Sequence, residues 1–135
     1  MNVNVLASEV SNALAASMRY IPDAPAAMVY CRHAIEKIVN YLLQVNFKGD
    51  YSPHKLASNI RRLKEFLSSP ITTDLFKLNE SIKPHLHDNP NKMDSQDMEK
   101  IIQKVSFVFK EIFSISLEIP KLLSKLDLYD LDKKY

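Results

Sequence analysis

Residues able to do chemistry fall in three places. The first is Lys83-Pro84-His85-Leu86-His87-Asp88, where two of the four histidines stand two positions apart beside a lysine and a carboxylate. Imidazoles titrate near neutral pH, so such a pair suits acid–base work or metal binding. The second is Arg32 and Glu36, at the i,i+4 spacing where opposite charges meet on one helix face. The third is the basic run Arg61, Arg62 and Lys64, a local excess of positive charge that could meet phosphate or be balanced by nearby carboxylates such as Glu65. A metal site needs three or four converging ligands. Beyond His85 and His87 the chain offers His33, His54 and Asp88, whose spacing defines no such set, so neither a metal nor a cofactor is expected.

Composition narrows the classes. The chain has 135 residues, 46% of them hydrophobic and 25% charged, in the range of folded proteins rather than of disordered ones. That length fits one domain, set here at residues 1–130 with a fraying tail at 131–135. A net charge of +2 is too small for a general nucleic-acid-binding surface and leaves only a local patch. A single glycine, Gly49, excludes the glycine-rich loops that cradle nucleotide phosphates. One cysteine, Cys31, excludes a disulfide framework, and its place on an apolar stripe marks it as a small buried hydrophobe. No apolar run approaches the roughly 18 residues that span a bilayer, and the N-terminus lacks the pattern of a signal peptide. A cytoplasmic protein without a membrane partner is expected.

The elements that must position these residues are helices. Ala26 to Asn46 has apolar residues at Met28, Cys31, Ile35, Ile38, Leu42 and Val45, with a second row at Val39 and Leu43. A helix apolar over so much of its circumference is wrapped by others, so this is the central one. Arg32 and Glu36 then lie at the margin of its buried face, with His33, Lys37, Asn40 and Gln44 toward solvent. Before it, Val3 to Met18 is amphipathic, and Asp23 with Pro25 opens the central helix by a cap and a first-turn proline. Gly49 closes it, and Ser52-Pro53 starts a third helix running to Leu67. A fourth spans Ile71 to Ile82 and stops at Pro84. The polar segment 83–92 follows, with an extended run after Pro84 that turns Leu86 to the core. Asp94 or Ser95 then caps a long helix reaching about Leu117, and past Pro120 a short helix covers 121–130. No alternating strand pattern is present, so the fold class is all-α, a single-domain bundle of five or six helices.

Tyr20-Ile-Pro-Asp-Ala-Pro25, Cys31 to Val39, Lys55 to Leu63, and Leu78-Asn79 through His87-Asp88 before a long apolar helix together resemble the HEPN superfamily (higher eukaryotes and prokaryotes nucleotide-binding). Within it they are similar to the small helical domain ahead of the motor in type I restriction endonuclease R subunits. The resemblance covers residues 15–118 and is one of pattern and order. It implies a HEPN-like bundle in which Arg32, Glu36 and Asn79 belong to the structural motif and His87 matches the terminal histidine. In the superfamily's ribonucleases an R-x(4–6)-H motif steadies the scissile phosphate with Arg and moves the proton with His. Here no arginine follows Arg62. Lys83 stands four positions before His87, and Asn79 six before His85.

Two functions are therefore expected as alternatives. One is a non-catalytic interaction module of a phage-defence or restriction-associated system, dimerising or docking on a protein encoded nearby, with His87 turned back toward Arg32 or Glu36. The other is a metal-independent ribonuclease or RNA-binding toxin, with His87 as general base, His85 beside it, and Lys83, Arg61, Arg62 and Lys64 on phosphate. An unrelated helical adaptor stays open. Six tyrosines and six phenylalanines, and the dimeric habit of HEPN-like domains, favour a homodimer.

Overall fold

Helix starts follow from capping chemistry. The computed structural model describes residues 2–47, 55–86 and 93–119. In α1 (Val3–Tyr20) the side chain of Asn2 accepts the Val5 N–H at 2.9 Å. In α2 (Ala24–Phe47) Asp23 accepts the Ala26 N–H at 3.2 Å and Pro25 lies in the first turn, where no amide is missed. In α5 (Ser95–Phe113) Asp94 accepts the Asp97 N–H at 2.8 Å. Each carboxylate or amide satisfies an amide that the first helical turn leaves without a partner. The short α3 (Leu56–Arg62) and α4 (Ser69–Ile82) complete the set, so five α-helices and no strands occur among the described residues.

Packing confirms α2 as the axis. It meets α1, α3, α4, α5 and the two short 3-10 turns. Its Met28, Cys31, Ile35, Ile38, Val39 and Leu43 are wholly buried, in one cluster with Leu14 of α1, Ile60 of α3, Leu75 of α4 and Phe109 of α5. α1 runs antiparallel to it: Ser17 sits beside Cys31 at one end, and Lys37 reaches Glu9 at 3.4 Å farther along. Lys37, expected in solvent, is thus drawn to the partner helix. Val45, expected on the core stripe, is 60% exposed, in a run with exposed Gln44 and Asn46 just past buried Leu42 and Leu43.

Helix ends depart from the sequence pattern in three places. The third helix, expected to reach Leu67, tightens into a 3-10 turn at Leu63–Glu65. There the Phe66 and Leu67 amides both bond the Leu63 carbonyl at 2.9 Å, satisfying an acceptor the helix end would leave open. The long helix, expected to reach Leu117, stops at Phe113: Ser114 takes the left-handed conformation (φ 58, ψ 29) and donates its N–H to the Lys110 carbonyl at 2.8 Å. A residue with a side chain adopts that shape at a cost of about 1 kcal/mol, the normal use being glycine. Beyond it Ile115, Leu117 and Ile119 are half-buried and alternate with exposed Ser116 and Glu118. That period of two was hidden inside an apolar run read as helical. Finally, Lys83–Leu86 is a 3-10 turn rather than an extended run. Proline's fixed φ fits such a turn as well as it fits a strand. Leu86 does pack on the core, as expected. The expected roles of Gly49, Ser52-Pro53, His87, Asp88 and residues 121–130 lie outside the described residues.

Cys31 is fully buried beside Ser17, whose hydroxyl donates to the Ala27 carbonyl at 2.6 Å and lies 3.2 Å from the sulfur. Burial pushes the thiol up to about 11 from an ordinary value near 9, against a smaller lowering by Ser17. A raised pKa means that folding favours the neutral thiol, so its contribution is complete below pH 9 and fades as pH rises toward 11. Urea unfolding from pH 8 to 11 is expected to show a loss of at most about 3 kcal/mol from this source, absent in Cys31→Ala. An identical pH slope in the variant would refute the assignment.

Candidate functional site

The buried stripe of α2 ends at Arg32 and Glu36, and the neighbouring helices leave a gap there. Arg32 Nε donates to Glu36 Oε1 at 2.8 Å, and both side chains are about one-third exposed (33% and 32%). The pair is more than half shielded, as the margin position implied, yet open enough that solvent screens it. Its worth is about 1 kcal/mol, far below that of a fully buried pair.

Arg32 forms one wall of a cleft of about 280 Å³. The start of α3 supplies Lys55, Leu56, Ala57 and Ser58, while the end of α4 and the turn after it supply Asn79 and Lys83. Asn79 is itself buried, 7% exposed, on the face of α4 that also carries Leu75, Leu78 and Ile82 inward. Three residues singled out from sequence, Arg32, Asn79 and Lys83, thus meet in space although they are scattered over two helices and a turn. Lys55 and Ser58 join them unannounced. Their signal was only a lysine and a serine three apart at a helix start, a pattern too common to select.

The other candidates stand elsewhere. His85 is half-buried in the 3-10 turn and does not line the cleft; His87 lies outside the described residues. Arg61 is exposed, Arg62 half-buried, and Lys64 sits over the Phe76 ring at 5.4 Å, a cation–π contact that occupies its charge. None of these three lines the cleft. Chemically, the cleft offers two ammonium groups, a guanidinium already bonded through Nε to Glu36, a hydroxyl and an amide. These are donors for an anion. Among the described residues its lining contains no His, Asp, Glu or Cys, hence no group that exchanges a proton near neutral pH. Nor do the described residues gather three or more His, Cys, Asp or Glu into a possible metal site. No described helix is long and apolar enough to cross a membrane.

Compared with known families, curated proteins and solved structures, the chain matches none.

Because the Arg32–Glu36 pair is partly shielded, Arg32→Ala is expected to cost about 1 kcal/mol, lowering the melting temperature by a few degrees. The loss should exceed that from alanine at Lys37, Asn40 or Gln44. Calorimetry showing equal shifts at all four positions would remove any structural role for the pair.

Proposed function

We propose that the chain is a non-catalytic, HEPN-like interaction module of a phage-defence or restriction-associated system, acting in the cytoplasm by dimerising or docking on a partner protein. The observation that carries this reading is the cleft at Arg32, Asn79 and Lys83. It gathers donors for an anion, but its described lining has no proton-transfer group, and no arginine follows Arg62 to supply the R-x(4–6)-H motif: the nearest cation before His87 is Lys83, with only three residues between. A lysine is a point charge without the planar fork that grips a phosphate in two places. Arg32, the nearest arginine in space, is engaged by Glu36. Donors without an acid–base partner can hold a ligand or brace a fold, but they do not cleave one.

The ribonuclease reading rests on His87 as general base with His85 and Lys83 beside it. Incubation of the purified chain with total RNA decides between the two. The expected result is intact RNA, together with a lower melting temperature for His87→Ala, the outcome that the module reading predicts. Cleavage that disappears in a normally melting His87→Ala would replace the module by an enzyme.

Self-association belongs to the same proposal. Light scattering is expected to report about twice the 15.5 kDa of one chain at micromolar concentration. A monomer throughout that range would leave docking on a different protein as the module's sole mode.

A further inference from the structure

A second concave surface lies between α4 and α5, away from the cleft. It is a groove of about 320 Å³ with Leu78 and Ile101 among its lining residues and Lys77, Lys100 and Lys104 around them. Its one carboxylate among the described residues, Asp74, is already joined to Lys104 at 3.2 Å. Lys100, Lys104 and Phe107 follow one another at helical spacing along α5, so the basic row continues into an aromatic ring that is 49% exposed and covered on one side by Lys104 at 4.8 Å. In a chain with a net charge of only +2, Lys77 and Lys100, beside a Lys104 already balanced by Asp74, concentrate positive charge locally.

We infer that this groove docks an acidic, amphipathic segment of a partner protein. Apolar side chains of the segment rest on Ile101 and Phe107, and its carboxylates meet Lys77 and Lys100. This inference rests on the interaction-module reading and names the chemistry of the partner. A protein segment fits better than a nucleic-acid strand for two reasons. A continuous phosphate backbone would have to pass the Asp74 carboxylate, whereas a peptide can place a neutral residue there. The groove also has aliphatic residues in its lining, where a strand would call for successive aromatic platforms. Charge complementarity around an apolar centre is the usual arrangement of a specific protein contact, with electrostatics steering the encounter and apolar contact holding it.

The test uses the full chain and two synthetic 18-residue peptides with the same leucine spacing, one with glutamate and one with lysine at every polar position, followed by fluorescence anisotropy. A 12-residue oligouridylate serves as a third probe. The acidic peptide is expected to bind, about tenfold more weakly at 300 mM than at 50 mM salt, and the basic peptide not at all. Lys77→Glu with Lys100→Glu should weaken binding tenfold or more at an unchanged melting temperature, and Phe107→Ala by a smaller factor. Lys55→Ala with Lys83→Ala, in the separate cleft, should leave it unchanged. Equal binding of the two peptides, no loss on charge reversal, or tighter binding of the oligouridylate at the same lysines would each overturn the inference. None of these outcomes depends on whether the chain cleaves RNA, so failure here and failure of the non-catalytic reading remain separate results.

Discussion

Burial of the α2 stripe is the constraint on which the rest of the structure depends. From Ala27 to Leu43 nearly every apolar position of that helix is out of water, and five wholly buried aliphatic side chains (Met28, Ile35, Ile38, Val39 and Leu43) each contribute on the order of 2 kcal/mol. A helix so apolar cannot be stable alone and must be surrounded, which is why four helices and two turns all touch it. The same requirement dictates where a site can lie. Polar residues on α2 are pushed off the buried stripe, and Arg32, bonded to Glu36, sits at its margin beside the start of α3 and the end of α4. The cleft is therefore a by-product of wrapping a cylinder with short elements.

The ion pair at that seam is a weak contributor to stability and a strong constraint on direction. At one-third exposure its net worth is small against that of the stripe beneath it. What it does is hold the guanidinium along the helix, bonded to a residue one turn away, and so withdraw part of the donor fork from the cleft. That leaves Lys55 and Lys83 as the mobile charges there. Two ammonium groups on flexible stems select an anion by charge rather than by shape, which suits a bracing or docking role better than the fixed geometry that a phosphoryl transition state demands.

Much of this was readable from the chain because helix starts and stripes are local. Asp23, Pro25 and Asp94 declare their roles within one turn, and the buried set of α2 follows from its periodicity up to Leu43. Helix ends were less legible. The stop at Ser114 needs a left-handed residue, normally glycine, and a serine there carries no warning. The alternation of Ile115, Leu117 and Ile119 was masked because a short apolar run satisfies both helical and strand periods. Contacts between helices were illegible altogether. Nothing in the order of residues says that Lys37 reaches Glu9, that Lys104 reaches Asp74, or that Lys55 and Ser58 face Arg32, since such pairings depend on crossing angles that a one-dimensional pattern does not contain.

Both positive surfaces share α4 as a wall, and that placement determines how far they can influence each other. Lys77, Leu78 and Ser81 line the groove, Asn79 and Lys83 the cleft, while Leu75, Leu78 and Ile82 anchor the helix to the core. Lys77 and Lys83 are six residues apart, a rise of about 9 Å along the axis. That is about one screening length at physiological salt, so salt weakens but does not abolish the influence of charge in one surface on the other. A second link is mechanical, through the packing of α4 on α2 and α5. A well-packed core transmits displacement only when a ligand's contacts differ between two arrangements of the helix. With Leu75, Leu78 and Ile82 buried, α4 is held to the core along one face, and the two surfaces draw on different residues of the same packed helix and the turn after it.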